Sequence, residues 1–389
     1  MSPARPQILV LGPVYLDLVL EVDRPLMPVM PTAGDDASRP AARVVLDHSV
    51  YEISRSSEPA GELIVRNNAH QSIEIFSTTA AMLPVTGTIT VDRQLAVAQA
   101  WRHRIGLAAH RILPGGMGAG FAAALKSRVV AALGANDSQE PDADGQQLIE
   151  RLRDAAVRLN PQLIQDVKTD TTVLLSSGPH GDKLPVGRRR AAGSLRCDAE
   201  LSDTIRQSDV LVIAGHENQL TAELLQAAGK DCVIVFAPTW RNIDPTTSEL
   251  VAVLDRIDYI SCNEEEWRGL DGDSWLRQQV ALITVTAGTK GATVHFRNQA
   301  GEPGSLHVPA YRAADRPVDT NRGGESFASA FLNCLLEEIG IDGLKSRRFT
   351  REIIEQAARE ATVAAYLQVQ TSSFRFHDRH RIRAEMSQY

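Results

Sequence analysis

The chain has 389 residues, of which 43% are hydrophobic and 23% charged, and its formal net charge is −7. These values are typical of a globular protein and exclude wholesale disorder. The mildly acidic balance also argues against nucleic-acid binding, because proteins that bind nucleic acid usually carry a clustered basic excess. Every apolar run is far shorter than the roughly 20 residues that cross a bilayer, so we expect no membrane partner.

The N-terminal region and the cysteines favour a cytoplasmic protein. The apolar block Ile8–Leu11 is too short for the core of a signal peptide. The cysteines lie tens of residues apart and lack the paired spacing of a metal site, which predicts free thiols in a reducing compartment. They are Cys197, Cys232, Cys262 and Cys334.

Short β-rich runs alternate with amphipathic helical patterns along most of the chain. Such alternation favours an α/β fold, with a largely parallel sheet covered by helices on both faces. The spacing of apolar residues predicts helices over Gln146–Leu159 and Phe327–Ile339. The predicted strands are Ile8–Leu11, Val129–Ala132, Thr171–Leu175, Val210–Ala214, Cys232–Phe236, Tyr259–Cys262, Leu282–Thr286 and Ala292–Phe296.

Residues from about Pro28 to Arg111 interrupt this alternation. Prolines mark the first part, strand-like stretches follow, and Asp92–Ala109 has a helical pattern. We interpret 28–111 as a lid plus an insertion, both within a single domain that spans 1–389. The strand-like stretches are Val44–Val50, Leu63–Arg66 and Ile73–Ser77.

The most informative segment is Asp319–Ser326, which runs into a predicted helix. Gly323 and Gly324 allow a sharp turn, so that the first N–H groups of the helix point outward without partners. With the helix dipole behind them, such groups bind anions such as phosphate. Glu325 lies in the same turn, where it could accept a proton from a hydroxyl that attacks the phosphate. A helix start with an acidic first turn and no function is the alternative.

Leu113–Gly120 is a second glycine-rich segment at a helix start, and its glycines allow the backbone to approach a ligand closely. A flexible loop before a helix is the alternative. Gly118, Gly120 and Ala123 match the spacing of the dinucleotide fingerprint in its Ala-ended form. They lie inside the predicted helix and not at a strand end. The interpretation of the chain as a dinucleotide-dependent oxidoreductase therefore depends only on this displaced motif.

Two further segments follow predicted strands. Thr286–Gly291 places glycines where a nucleotide could lie against the backbone, or where a β-turn needs a positive φ. Asn263–Glu266 places oxygen ligands, which suit Mg²⁺, at the carboxyl end of a strand, where open α/β sheets bind ligands. A solvated acidic helix start is the alternative for this second segment.

Taken in order, these segments resemble those of the ribokinase-like (PfkB) carbohydrate kinase family, which includes nucleoside kinases. Gly12 to Asp17 resembles the family's first strand and the aspartate that holds substrate hydroxyls. Gly115-Gly116 resembles its substrate-side glycine pair. Asp319 to Glu325 resembles the signature Asp-Thr-x-Gly-Ala-Gly-Asp, which ends in the catalytic base.

The resemblance also implies a fold, an activity and cofactors. The fold is a three-layer α/β/α arrangement with a mostly parallel central sheet and a small β-rich lid. The activity is the ATP-dependent phosphorylation of a hydroxyl of a sugar or nucleoside-like small molecule, and the resemblance leaves room for a monovalent cation and a homodimer. Asn263 and Glu266 match the motif associated with Mg²⁺ and phosphates, and Thr286, Gly288 and Gly291 match the nucleotide loop.

Several positions depart from the family's pattern. Glu325 stands where the family has the catalytic Asp, and Arg322 takes the place of the signature's first Gly. Gly323 replaces the signature's Ala, and Gly120 stands where an Asn usually touches the sugar. The acid usually found near Ala237-Pro238 is missing.

The departures define what we expect of the site. The extra methylene moves the carboxylate of Glu325 by roughly a C–C bond, and a misplacement of about 1 Å can cost on the order of a hundredfold in rate unless the backbone compensates. We expect Glu325 to act as the base and the amides near Gly323 and Gly324 to stabilise the migrating phosphoryl group. Arg322 would either assist these amides or form a surface salt bridge. Asp17, Gly115, Gly116 and Gly120 would hold the substrate.

A protein of another class remains as the alternative. The same departures could belong to a kinase-shaped protein that binds a nucleotide or metabolite and has a regulatory role without useful catalysis. Substrate-dependent turnover distinguishes the enzyme from the binding protein.

Overall fold

The computed structural model describes residues 6–22, 42–46, 49–55, 62–66, 72–77, 107–177, 182–187, 190–239, 242, 251–270, 276–313 and 317–387. The strands are β1 (Ile8–Leu11), β2 (Tyr15–Val22), β3 (Ala42–Leu46), β4 (Ser49–Arg55), β5 (Glu62–Arg66), β6 (Ser72–Ser77), β7 (Leu107–Gly115), β8 (Arg128–Gly134), β9 (Arg158–Ile164), β10 (Thr171–Ser177), β11 (Asp182–Gly187), β12 (Val210–Ala214), β13 (Val233–Ala237), β14 (Tyr259–Asn263), β15 (Leu282–Thr286), β16 (Ala292–Arg297) and β17 (Pro303–Val308). The α-helices are α1 (Met117–Leu125), α2 (Ala143–Asp154), α3 (Ala199–Arg206), α4 (Asn218–Ala227), α5 (Glu264–Gly269), α6 (Leu276–Gln279), α7 (Gly323–Glu338), α8 (Gly340–Lys345), α9 (Arg351–Val369) and α10 (Arg379–Met386).

A mostly parallel nine-stranded sheet forms the centre of the fold, in the order β17-β16-β15-β14-β13-β12-β1-β8-β9. The strands from β15 to β9 pair in parallel, and β16 and β17 add an antiparallel hairpin at one edge. The inner strand β12 is buried along its whole length, as expected when helices cover both faces of a parallel sheet. The α/β fold class predicted from the sequence is confirmed.

Alternating side chains of the sheet belong to two hydrophobic clusters, one on each face of the sheet. Val10 of β1 belongs to the cluster that includes residues of α1, α7 and α9. Its neighbours Leu9 and Leu11 belong to the cluster that includes residues of α3 and α4. Because successive side chains of a strand point to opposite faces, this split places the sheet between two helical layers.

One helix prediction is wrong at its end. The apolar spacing from Gln146 to Leu159 predicts one helix, but α2 stops at Asp154 and Leu159 lies in β9, opposite Val129 of β8. The chain turns at Ala156, whose φ is +58°, and a helix cannot continue through such a residue. Pairing with the sheet therefore overrides the helical spacing of the last residues.

A second, four-stranded sheet has the order β11-β10-β2-β7 and forms the small β-rich lid. Of its strands, only β7 begins within the segment 28–111, and it ends beyond that segment at Gly115. Leu107–Ala109, predicted as the end of a helix, lies in β7 because it pairs with β2. The remainder of that predicted helix, 92–106, lies outside the described residues.

The strands of the insertion form a third sheet, with the antiparallel order β3-β4-β5-β6. The predicted strand Val44–Val50 is divided between β3 and β4, which pair as a hairpin with Val45 opposite Val50. The other two predicted stretches correspond to β5 and β6.

The cysteines are free thiols, as the sequence predicts. Burial raises the pKa of Cys232 and of Cys334 to about 12, so both thiols stay protonated at neutral pH. Among the described residues, no helix combines the length and the apolar character needed to cross a membrane.

A buried ion-pair network anchors the C-terminal helix α10 to α9. The Glu360 carboxylate is 2% exposed and accepts hydrogen bonds from Arg379 Nε at 2.5 Å and from Arg383 Nε at 3.1 Å. Burial disfavours the charged carboxylate, but the hydrogen bonds and positive charge of Arg379 and Arg383 outweigh this effect and lower the pKa of Glu360.

Replacing Arg379 by Met should lower the free energy of unfolding by about 3 kcal/mol, because it removes the principal partner of a buried charge. Urea-induced unfolding at neutral pH measures the loss. Arg359→Met is the matched control, since Arg359 is 62% exposed and pairs with Glu355 on the surface of the same helix α9. Such surface pairs contribute about 0–1 kcal/mol, so equal losses in the two variants would contradict the assignment.

The pH dependence of stability should report the same network. A carboxyl group whose pKa is lowered by folding stabilises the protein above its unfolded pKa, here about 4.5, and loses this contribution as the pH falls through the folded value. The difference in unfolding free energy between the wild type and Glu360→Gln should therefore be full at pH 7 and shrink below pH 4.5. A difference that stays constant down to about pH 3 would rule out this charged pairing.

Candidate active site

The segments singled out in the sequence lie at the carboxyl ends of the parallel strands of the central sheet. Asn263 ends β14 and pairs with Thr286 at the end of β15. The chain leaves β1 at Gly12, and the Pro13 carbonyl accepts a 3.1 Å hydrogen bond from the Gly118 amide in the first turn of α1. In open α/β sheets these strand ends are where ligands bind.

The signature segment forms an open helix start. Gly323, Gly324 and Glu325 are the first three residues of α7. Their amides precede the first helical hydrogen bond, which the Ser326 amide makes to the Arg322 carbonyl at 2.9 Å. A Cβ atom added at Gly324 would have nothing within 4 Å, so this turn faces open space. Three outward amides at a helix N-terminus form a site for an anion.

Two carboxylates, which the resemblance assigns to substrate binding (Asp17) and to catalysis (Glu325), lie against one short glycine-rich segment. A Cβ atom on Gly115 would lie 2.3 Å from Cγ of Asp17, which belongs to the lid strand β2. A Cβ atom on Gly120 would lie 3.0 Å from Cγ of Glu325, which belongs to α7. Gly116 lies between them as the N-cap of α1, with a φ of +89°. The segment 115–120 thus brings Asp17 and Glu325 to the same helix start.

The Glu325 carboxylate has no structural partner among the described residues. It is half-buried, and it forms no hydrogen bond or ion pair with any residue described. Glu266 occupies the equivalent third position of α5, but its Oε2 accepts a 2.9 Å hydrogen bond from the Asn263 amide in a capping box. Glu325 makes no such bond, which argues against a purely capping role.

Arg322 lies inside the protein and not on its surface. The residue is 9% exposed, its guanidinium carbon lies 5.2 Å from the centre of the Phe374 ring, and its buried Nη1 has no hydrogen-bond partner among the described residues. The surface salt bridge considered from the sequence is therefore excluded. Its φ is +66°, a conformation that costs a residue other than glycine about 1–2 kcal/mol.

The sequence analysis missed Arg111, which ties the lid to the signature turn. The Asp319 side chain is 2% exposed, and its Oδ2 lies 3.5 Å from Nη2 of Arg111 in β7. Asp319 Oδ1 accepts hydrogen bonds from the amide and the side chain of Asn321 at 2.9 and 2.6 Å. Arg111 also donates to the carbonyl of Ser372, in the segment after α9. The sequence feature that could have identified Arg111 is the presence of a basic residue within an apolar stretch shortly before Gly115.

A cavity of about 270 Å³ joins the predicted nucleotide loop to the signature turn. Thr286, Gly288 and Gly291 line one side of it, and Gly323 and Gly324 line another. Gly288 and Gly291 have positive φ angles, +55° and +98°. The loop is therefore also a turn whose glycines have positive φ, which was the alternative considered from the sequence. The turn and the cavity wall are formed by the same glycines.

Aromatic residues that the sequence analysis missed complete this cavity. Tyr311 and Tyr366 line it, and their rings pack edge to face with centroids 5.1 Å apart. The Arg312 guanidinium lies 5.1 Å from the Tyr311 ring centre and 5.8 Å from that of Tyr366. A 3.2 Å ion pair links Arg312 to Glu385 of α10. These residues meet only in the folded chain, and no local motif marks them.

Asn263 and Glu266, predicted to bind Mg²⁺, form the capping box of α5. Asn263 Oδ1 accepts hydrogen bonds from the amides of Glu265 and Glu266 at 2.8 and 2.9 Å. Neither side chain lines the 270 Å³ cavity. Within the described part of the chain, no group of three or more His, Cys, Asp or Glu side chains is arranged to hold a metal ion. The Asn263 amide oxygen and the Glu266 carboxylate are thus both engaged at the start of α5.

Comparisons with known proteins agree with this architecture. The family model described as pfkB family carbohydrate kinase matches residues 80–379. No curated protein sequence matches the chain.

Solved structures give the same fold. Ribokinase from Giardia lamblia has 16% sequence identity and a TM-score of 0.62, covering 99% of this chain and 100% of that one. Ribokinase from Arabidopsis thaliana, complexed with ribose and ATP, has 18% identity and a TM-score of 0.57, with 97% and 98% covered. Adenosine kinase from Sinorhizobium meliloti has 15% identity and a TM-score of 0.60, with 99% and 100% covered. With the family model matching most of its length, the chain belongs to the pfkB family of carbohydrate kinases.

Proposed function

We propose that the protein transfers a phosphoryl group from ATP to a hydroxyl of a sugar or nucleoside-like small molecule. The observation that carries this proposal is the partner-free Glu325 carboxylate beside the open amides of the α7 turn, next to the cavity that Gly323 and Gly324 line. The chain's family supports the reaction class. The Arabidopsis ribokinase complexed with ribose and ATP supports ATP as the phosphoryl donor and a sugar as the acceptor.

The reaction follows from the placement of the two carboxylates. Asp17 would hold a hydroxyl of the acceptor at the lid, and Glu325 would take the proton from the hydroxyl that reacts. The acceptor oxygen then bonds to the γ-phosphorus, the bond from that phosphorus to the bridging oxygen breaks, and ADP leaves. The amides of Gly323 and Gly324 would stabilise the charge on the transferred group.

The capping box of α5 supports a water-mediated role for Asn263 and Glu266. Because both side chains already serve the helix start, they would orient water molecules around a Mg²⁺ ion beside the nucleotide phosphates. When bound, Mg²⁺ offsets the negative charge of ATP and of the developing transition state.

We extend the proposal to Arg322. Its guanidinium is buried, it has no counter-ion among the described residues, and it precedes the amides that would hold the phosphoryl group. A buried unpaired charge is costly, and an incoming anionic group would reduce that cost. Arg322 also has an αL backbone, whose cost a contact with the phosphoryl group would help to offset.

Glu325→Gln should lower turnover about 10²–10⁴-fold, because an amide cannot accept the hydroxyl proton. The measurement is ADP release with a panel of sugars and nucleosides, accompanied by ATP titration to show that binding is retained. Glu200→Gln, which changes an exposed acid in the first turn of helix α3, is the control. ATP binding without turnover on any acceptor would favour the regulatory binding protein, and full turnover in Glu325→Gln would exclude this carboxylate as the base.

Arg322→Gly should lower kcat by about 10²-fold, the usual effect of removing one transition-state donor. Glycine accepts the αL conformation without strain, so the turn should keep its shape and the melting temperature should stay close to that of the wild type. Arg322→Lys serves as the conservative comparison that keeps the charge. If Arg322→Gly turns over like the wild type, the guanidinium has a packing role only.

A further inference from the structure

Gly120 has no backbone reason to be glycine. It lies inside helix α1, and its φ is not among the positive values found at glycines of this chain. Its neighbours differ: Gly116 has a φ of +89°, and a Cβ atom on Gly118 would lie 2.5 Å from the Gly12 carbonyl oxygen. Glycine within a helix is less favourable than alanine, so Gly120 needs another explanation.

The atoms nearest to Gly120 supply that explanation, because they all belong to Glu325. A Cβ atom on Gly120 would lie 3.0 Å from Cγ, 3.3 Å from Cβ and 3.4 Å from Cδ of Glu325. The first two distances are shorter than normal van der Waals contacts between carbon atoms. The contact is with the stem of the side chain and not with its free end, so a rotation of the carboxylate alone would not relieve it.

We propose that Gly120 and Glu325 form a packed pair, in which the missing side chain of Gly120 makes room for Cβ and Cγ of Glu325. Gly120 is thus a positioning residue for the carboxylate and not a contact for the acceptor. The catalytic part of this inference rests on the proposed function. The pairing itself rests only on the packing of α1 against α7.

The pair bears on the extra methylene of Glu325, because that methylene, Cγ, is the atom nearest to position 120. A displacement of about 1 Å at a reacting group costs on the order of a hundredfold in rate. Because the stem of Glu325 lies over Gly120, the side chain can extend across α1 without moving the turn at Gly323 and Gly324. A side chain at 120 would force either the stem or the turn to move.

A double-mutant cycle tests the pair through activity. Gly120→Ala should lower kcat at least about tenfold, by displacing the base, while the melting temperature stays the same or rises because alanine favours the helix. Glu325→Asp keeps Cβ and Cγ, the two atoms nearest to position 120, and should also lower kcat. The crowding therefore persists in the double variant Gly120→Ala/Glu325→Asp, whose kcat should lie below that of Glu325→Asp.

Gly193→Ala is the matched control, since a Cβ atom there would have nothing within 4 Å and its φ is not positive. It should leave kcat unchanged. Full activity in Gly120→Ala, or a double variant as active as Glu325→Asp, would overturn the pairing.

A second cycle, on stability, separates this inference from the proposed function. The change in melting temperature caused by Gly120→Ala should be more favourable in a Glu325→Ala background than in the wild type, because Cγ of residue 325, the atom nearest to position 120, is then absent. Equal changes in the two backgrounds would overturn the pairing. This measurement needs no turnover, so it remains decisive if the wild type phosphorylates none of the acceptors and the proposed function fails.

Discussion

The close approach of the start of α1 to three other elements is the constraint on which the site depends. Gly118 lets α1 contact the end of β1, Gly115 admits Asp17 from the lid, and Gly120 admits Glu325 from α7. Side chains at these positions would push the elements apart. The same segment therefore fixes the carboxyl end of β1, the lid and the signature turn relative to one another.

Charge at the signature turn is arranged unevenly, and this unevenness suits an anionic ligand. Asp319 is buried, but its Oδ2 lies 3.5 Å from Arg111 Nη2 and its Oδ1 accepts from Asn321, so its charge is compensated within the protein. Arg322 is also buried, but no described residue bonds its Nη1. The outward amides of α7 add further positive potential. A site with donors in excess of acceptors binds a phosphoryl group without having to remove a counter-ion first.

Links from outside the signature couple distant parts of the chain to this site. Arg111 joins the lid strand β7 to the turn, and Arg312 joins the wall of the 270 Å³ cavity to Glu385 of α10. Helix α10 is in turn held by the buried carboxylate of Glu360. The C-terminal helix therefore supports the cavity as well as the fold. The same lid sheet carries Asp17 on β2, which pairs with β7.

The sequence by itself determined the alternation of strands and helices, the family and the segments that meet at the carboxyl ends of the strands, because apolar periodicity and glycine-rich turns are local properties. It did not determine that α2 stops before Leu159, or that Glu266 caps a helix while Glu325 remains without a partner. It also did not determine that Arg111 reaches Asp319. Only the tertiary structure decided these points, because sheet pairing, burial and contacts between elements depend on residues far apart in the chain.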